Sequence, residues 1–145
     1  MSPRPTPKTR DAFAVFCRIS TRWEDNDAYR HVNNVTYLSF FDTAVNEHLI
    51  NGGVLDIENS DVIGLVARTS CDYFAAVSFP DKIDVGLAVS RLGASSVTYE
   101  LAVFRENESH AAAQGQFVHV YVDRKSNRPV EMPAPLRAHL SGLLT

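Results

Sequence analysis

The run from Val35 to Ile50 leaves little choice of structure. Leu38, Phe41, Val45 and Leu49 recur at helical spacing, and Tyr37, Phe40, Ala44 and Ile50 widen the apolar stripe. Asn33 or Asn34 is a natural N-cap. Asn51-Gly52-Gly53 supplies a stop, with glycine available for a left-handed residue past the last turn. The helix predicted here is ~25 Å long at ~1.5 Å rise per residue. Apolar over so broad a face, it has to be buried, and the rest of the chain has to cover it.

What remains reads as strands. Phe13 to Trp23 is rich in strand formers and delivers the chain to the helix. Val54 to Asp61 has no clear period and is expected to form a covering loop or a short helix. Val62 to Val77 reads as an irregular strand, closed by the turn Ser78-Phe79-Pro80-Asp81. Ile83, Val85, Leu87 and Val89 alternate with Asp84, Gly86, Ala88 and Ser90, and Val97, Tyr99, Leu101 and Val103 resume the alternation after Leu92-Gly93-Ala94-Ser95. A last long strand runs from about Ala111 to Val122. Pro133 to Leu140 starts a short helix with Leu136 and Leu140 on one stripe. Successive strands joined by short turns make an antiparallel meander, not a βαβ sheet. The fold class is therefore α+β, a sheet whose concave face covers the one long helix. Its edge strands stay open, and pairing across a two-fold axis would cover them.

At 145 residues the chain is one domain, expected over 11–145, with Met1 to Arg10 a proline-rich, basic, frayed tail that is no secretory signal. The net charge of −3 gives no basic excess for nucleic acid, and no run approaches the ~20 apolar residues of a membrane span. Cys17 and Cys71 lie within strands without metal spacing and read as reduced, buried thiols of a cytoplasmic protein. No histidine grouping suggests a metal site. The absence of a GxSxG motif gives a serine-hydrolase mechanism no support.

Chemistry concentrates just before the long helix. Glu24, Asp25, Asp27, His31, Asn33 and Asn34 crowd a short loop against a helix N-terminus, whose free N–H groups can bind developing negative charge. Asp27 could serve as nucleophile or general base, or only close an Asx-turn or cap the helix. Glu24 and Asp25 read as solvated loop acids or turn-formers, and Asn33 and Asn34 as loop supports and caps.

The stretch Asp27-Ala28-Tyr29-Arg30-His31-Val32-Asn33-Asn34-Val35-Thr36-Tyr37 resembles the Asp-x-x-x-His-Val-Asn-Asn-x-x-Tyr signature of hotdog-fold acyl-CoA thioesterases of the 4-hydroxybenzoyl-CoA thioesterase type. Arg22-Trp23 and Asp25 are also similar to acyl-carrier-protein thioesterases. The resemblance implies a hotdog fold, an antiparallel sheet wrapped around one central helix. It also implies hydrolysis of an acyl-CoA or acyl-carrier-protein thioester. The implied carboxylate is Asp27, with a backbone N–H near Asn34 as oxyanion donor, Asn33 as loop support, and His31 as acid–base partner or packing group. Tyr37, Phe40, Phe41, Tyr73 and Phe74 could line an acyl pocket, and Arg91, Arg124, Lys125 and Arg128 could meet the phosphates of coenzyme A, which enters as part of the substrate with no separate cofactor. Many relatives carry glycine where this chain has Arg30, so a left-handed residue is not expected there. A homodimer or homotetramer is expected. The alternatives are enoyl-thioester hydration and a non-catalytic module that binds acyl thioesters.

Overall fold

The computed structural model describes residues 5–145. Its five strands are β1 (Val15–Ser20), β2 (Val62–Tyr73), β3 (Lys82–Leu92), β4 (Ser96–Arg105) and β5 (Ala113–Asp123), and its two helices are α1 (Thr36–Asn51) and α2 (Ala134–Ser141). The strands form one antiparallel sheet in the order β1-β3-β4-β5-β2. β2 crosses from the helix to the far edge before the meander fills the middle. α1 lies on the sheet and buries Tyr37, Phe40, Phe41, Ala44, Val45 and Leu49 against the inward residues of β3, β4 and β5. This is the hotdog fold.

α1 ends as its sequence requires. Gly53 takes φ +68, Gly53 N–H donates to Ile50 O, and Val54 N–H reaches back to Leu49 O, a Schellman closure. Ile50, expected on the buried stripe, is exposed because nine residues of helix place it opposite Phe41, the middle of the buried face. α2 seals the other end of the core with Leu136, Leu140 and Leu143, and Val89 N–H donates to Leu143 O. His139 stacks on His48 of α1, ring centroids 4.4 Å apart.

The two sheet edges differ. β1 is a short outer strand whose Arg18 pairs with Asp84 and Glu106. β2 is 12 residues long, bulged near Ala67, and exposes Leu65 and Val66.

Three sequence expectations need correction. The first strand stops at Ser20, and Trp23–Asp25 forms a 3-10 turn. Of the expected tail, residues 1–4 lie outside the described residues, while Lys8 to Arg10 are stitched to the sheet. Lys8 N–H donates to Gln114 Oε1 at 2.8 Å, Ala111 N–H donates to Lys8 O at 2.9 Å, and Arg10 binds Asp84 Oδ2 and the Glu108 and Arg105 carbonyls. The Arg10 guanidinium also covers the Phe104 ring at 4.9 Å. Last, Cys71 is only half-buried; it and Cys17 are both free thiols.

Candidate active site

The loop before α1 is a small hairpin. Asn26 and Val32 bridge, Asp27 N–H donates to His31 O at 2.9 Å, and Arg30 N–H donates to Asp27 O at 3.0 Å. Arg30 has φ +64. This is a three-residue hairpin connection, a tight turn followed by a left-handed residue that restores strand pairing. The geometry explains why glycine suits this position. It also corrects the expectation drawn from Arg30, since the surrounding hydrogen bonds hold arginine in the left-handed region at a cost of roughly 1–2 kcal/mol.

The hairpin is anchored from below. Asp25, only 3 % exposed, accepts from Arg22 N–H at 2.7 Å and Arg22 Nη2 at 3.1 Å, and its carbonyl accepts Asn33 N–H. It is a buried turn-former, while its neighbour Glu24 is a solvated acid paired with Arg22. Val32 N–H donates to Val77 O at 2.7 Å, and Asn26 Oδ1 accepts Phe79 N–H. These bonds tie both arms of the hairpin to the segment after β2.

Asp27 sits half-buried at the turn. Its Oδ1 closes an Asx-turn by accepting Tyr29 N–H at 2.8 Å, and its Oδ2 has no partner among the described residues. Asp27 does not cap the helix. Nor does Asn33 or Asn34, since the N-cap position is Val35 and has no side-chain cap bond; Asn33 Oδ1 instead closes a second Asx-turn by accepting Val35 N–H at 3.1 Å, and its carbonyl accepts Thr36 N–H at 2.9 Å. Because a trans peptide directs N–H opposite to C=O, engaging Asn33 O in the helix turns the Asn34 N–H back toward the loop. That N–H also has no acceptor among the described residues.

Asp27, Tyr29, His31, Val32, Asn34, Tyr37, Tyr73 and Phe74 to Ala76 line one open cleft of about 440 Å³. Tyr37 and Tyr73 meet edge-to-face at 5.1 Å, and the Tyr73 hydroxyl donates to Asn34 O at 2.8 Å. Burial, then the neighbouring Cys71, pushes the Tyr73 hydroxyl well above the usual phenol range, so it is a permanent donor. Cys71 is itself raised to about 11, chiefly by burial, and is a poor nucleophile. A second concavity of about 490 Å³, around Lys82, Arg105, Glu106 and Glu108, is charged and contains none of the loop residues.

The fold thus brings Asp27, His31, Asn34, Tyr37, Tyr73 and Phe74 together, with Asn33 supporting them. It does not bring the other expected residues to the cleft of the same chain. Phe41 lies one turn beyond Tyr37, wholly buried against Phe117 at 5.8 Å. Strands β3 and β5 both begin near the cleft and run away from it, so Arg91 is about 30 Å off at ~3.3 Å per residue. Arg128 lies beyond the far end of β5. Tyr29, Ala75 and Ala76 carried no sequence signal; they line the cleft only because the Val32–Val77 bond folds the two segments together.

Residues 21–140 match the family model of the thioesterase-like superfamily. The chain belongs to that superfamily. The match spans the loop, the helix and the whole meander, and it makes this protein a thioester hydrolase. Among solved structures, the thioesterase is similar to the PA5185 protein of Pseudomonas aeruginosa strain PAO1, at 56% identity and TM-score 0.94, covering 97% of this chain and 98% of that one. YsmA of Bacillus subtilis strain 168, an uncharacterised protein, is 28% identical over 127 residues, 87% of this chain and 84% of its own. Slr0204 from Synechocystis, a 1,4-dihydroxy-2-naphthoyl-CoA thioesterase, shares the fold at TM-score 0.80 and 18% identity, covering 87% of this chain and 94% of that one. Among the described residues no helix is long and apolar enough to cross a membrane.

Proposed function

We propose that this thioesterase hydrolyses acyl-CoA thioesters to the free acid and coenzyme A, with Asp27 as nucleophile or general base and the Asn34 N–H as oxyanion donor. The observation that carries this reading is that the uncommitted Asp27 Oδ2 and the uncommitted Asn34 N–H belong to residues lining one cleft. Thioester hydrolysis asks for that pair, a base or nucleophile on one side of the carbonyl and a fixed donor for its oxygen. The Asn34 N–H lies at the positive end of α1, which favours the developing charge. His31, exposed on the cleft wall, is placed to relay a proton to the departing thiolate. The aromatic walls, Tyr29, Tyr37, Tyr73 and Phe74, suit an apolar acyl group. No metal or redox cofactor enters the scheme; coenzyme A is part of the substrate. That Slr0204 acts on an aromatic acyl-CoA gives aromatic acyl groups a place in the test.

The working unit is a homodimer, formed by antiparallel pairing of the bare β2 edges. Pairing about the middle of β2, near residues 67 and 68, sets the Tyr73 end of one strand beside the Val62 end of the other. The loop carrying Arg128, which follows β5 next to Val62, then approaches the cleft of the other copy. This gives Arg128 a route to the phosphates of coenzyme A that one chain alone does not offer.

Thiol release across short, long and aromatic acyl-CoAs tests the reading. At least one class should turn over, and Asp27→Asn should lower kcat by roughly 10²–10⁴, the usual span for a lost general base. An Asp27→Asn variant that retains native turnover would overturn the assignment.

A further inference from the structure

An oxyanion donor contributes only if it stays where the oxyanion will form, so what holds the Asn34 peptide matters as much as the N–H itself. The peptide between Asn34 and Val35 is fixed at both ends. Its N–H, from Val35, donates to Asn33 Oδ1 at 3.1 Å, and its carbonyl, from Asn34, accepts the Tyr73 hydroxyl at 2.8 Å. Among the described residues the other donor to that carbonyl is Tyr37 N–H at 3.3 Å, a long bond in the turn that leads into the helix. The Tyr73 bond comes from 39 residues away, from the last residue of an edge strand, and among the described residues it is the long-range tie on this peptide.

Tyr73 itself has little freedom. Its ring stands edge-on to Tyr37 at 5.1 Å and 88°, and Phe74 N–H, the next along the chain, donates to Ala112 O at 2.8 Å. The hydroxyl is therefore delivered from a rigid sheet to a loop that otherwise closes only on itself and on the segments flanking β2. The Asn34 N–H belongs to the preceding peptide, which meets this one at the Asn34 Cα, so a shift of the Asn34–Val35 peptide that carries that Cα with it would move the N–H off its aim. The Tyr73 hydrogen bond opposes that shift.

We propose that Tyr73 is a positioning residue for the thioesterase reaction, its hydroxyl clamping the Asn34 carbonyl so that the Asn34 N–H keeps its aim at the thioester oxygen. This rests on the reading of the Asn34 N–H as the oxyanion donor. Tyr73 moves no proton and forms no bond to substrate in this role. Since a displacement near 1 Å can cost roughly 10²-fold in rate, loss of the clamp should cost about 10–100-fold in kcat. KM should change by no more than about twofold, since ground-state binding is untouched.

Tyr73→Phe in the full chain is the test, because it removes the hydroxyl and keeps the ring on Tyr37. Three measurements are made: the kinetics of thiol release (kcat and KM), melting temperature, and hydrogen exchange by NMR of the two hydrogen-bonded amides, Val35 and Tyr37. The expected result is a fall in kcat at nearly constant KM and melting temperature, with faster exchange confined to those amides. Unchanged amide exchange overturns the clamp whatever the activity. Faster exchange with native kcat overturns its catalytic consequence. If wild type and Asp27→Asn are equally inert on every acyl-CoA, the reading of the site fails instead, and that failure is separate because the amide measurement needs no substrate.

Discussion

Gly52 follows the last turn of α1 with ordinary helical φ of −78, so alanine there is conformationally acceptable. Replacing glycine by alanine at such a position normally stabilises by roughly 0.4–1 kcal/mol through the unfolded chain. Here the expected sign is reversed. A Cβ on Gly52 would sit on the imidazole of His139, which fills the space above the glycine. His139 would have to leave, giving up its contact of Nε2 with His48 O at 3.2 Å and its stacking on the His48 ring. The hydrogen bond is worth about 1 kcal/mol and the stack about 0.5–1.5 kcal/mol. Against the gain from the unfolded state, the net loss for Gly52→Ala is about 0.5–2 kcal/mol, or a melting point lower by roughly 1–8 °C for a chain of this size. In a His139→Ala background the obstacle is gone, and Gly52→Ala should be neutral or stabilising. Urea denaturation of the four proteins near pH 8, where free imidazole is neutral, gives a double-mutant cycle with an expected coupling of about 1.5–2.5 kcal/mol. Equal stabilisation by Gly52→Ala in both backgrounds would refute the argument.

Other expectations follow from the same structure. Deleting residues 1–10 should lower the melting temperature by several degrees, and Arg10→Ala alone should cost about 1–2 kcal/mol, because the Arg10 guanidinium satisfies Asp84 and two carbonyls; calorimetry decides. Asp25→Asn should cost about 1–3 kcal/mol by leaving the Arg22 N–H groups badly met, while Glu24→Gln should stay within about 0.5 kcal/mol. Equal effects of the two would show that Asp25 does not anchor the loop. His48, lowered first by burial and then by His139, and His119, lowered by burial against a small opposing effect of Asp42, both resist protonation in the folded state. The unfolded chain takes up these protons first, near pH 6.5, so stability is full above that pH and falls as pH drops below it. A urea midpoint that rises on acidification from pH 7 to pH 5 would contradict this.

The helix and the strands were legible because each rests on short-range periodicity. Leu38 to Leu49 reads as one face of a helix whatever covers it, and Ile83 to Val89 reads as a strand whatever pairs with it. The stitching of Lys8 and Arg10 was not legible, since its partners Gln114 and Asp84 lie far along the chain and proline-rich basic segments usually have nothing to bury. Glu24 and Asp25 are equivalent as letters; only the turn of Trp23–Asp25 sends one to solvent and the other inward. Arg30 argued against a left-handed residue because the usual signal for that conformation is glycine, and here the pairing of Asp27 with His31 imposes it. The motif pointed to Asp27, His31 and Asn34, which the fold does gather in one cleft. It carried no information on Tyr73, whose tie to Asn34 exists only once β2 has crossed to the far edge.

The unequal edges of the sheet bear on how far assembly can proceed. A two-fold pairing uses β2 twice and leaves, at each end of the joined sheet, a β1 of six residues carrying Arg18 in a network with Asp84 and Glu106. Extending further would require one such end to accept another, a match of only six residues. Head-to-tail growth, with β2 of one copy on β1 of the next, would leave half of the longer strand unpaired. Two copies therefore exhaust the sheet's capacity to add strands. In such a pair the two long strands that could seed a filament would be spent on each other, and the joined sheet would offer only its short β1 ends.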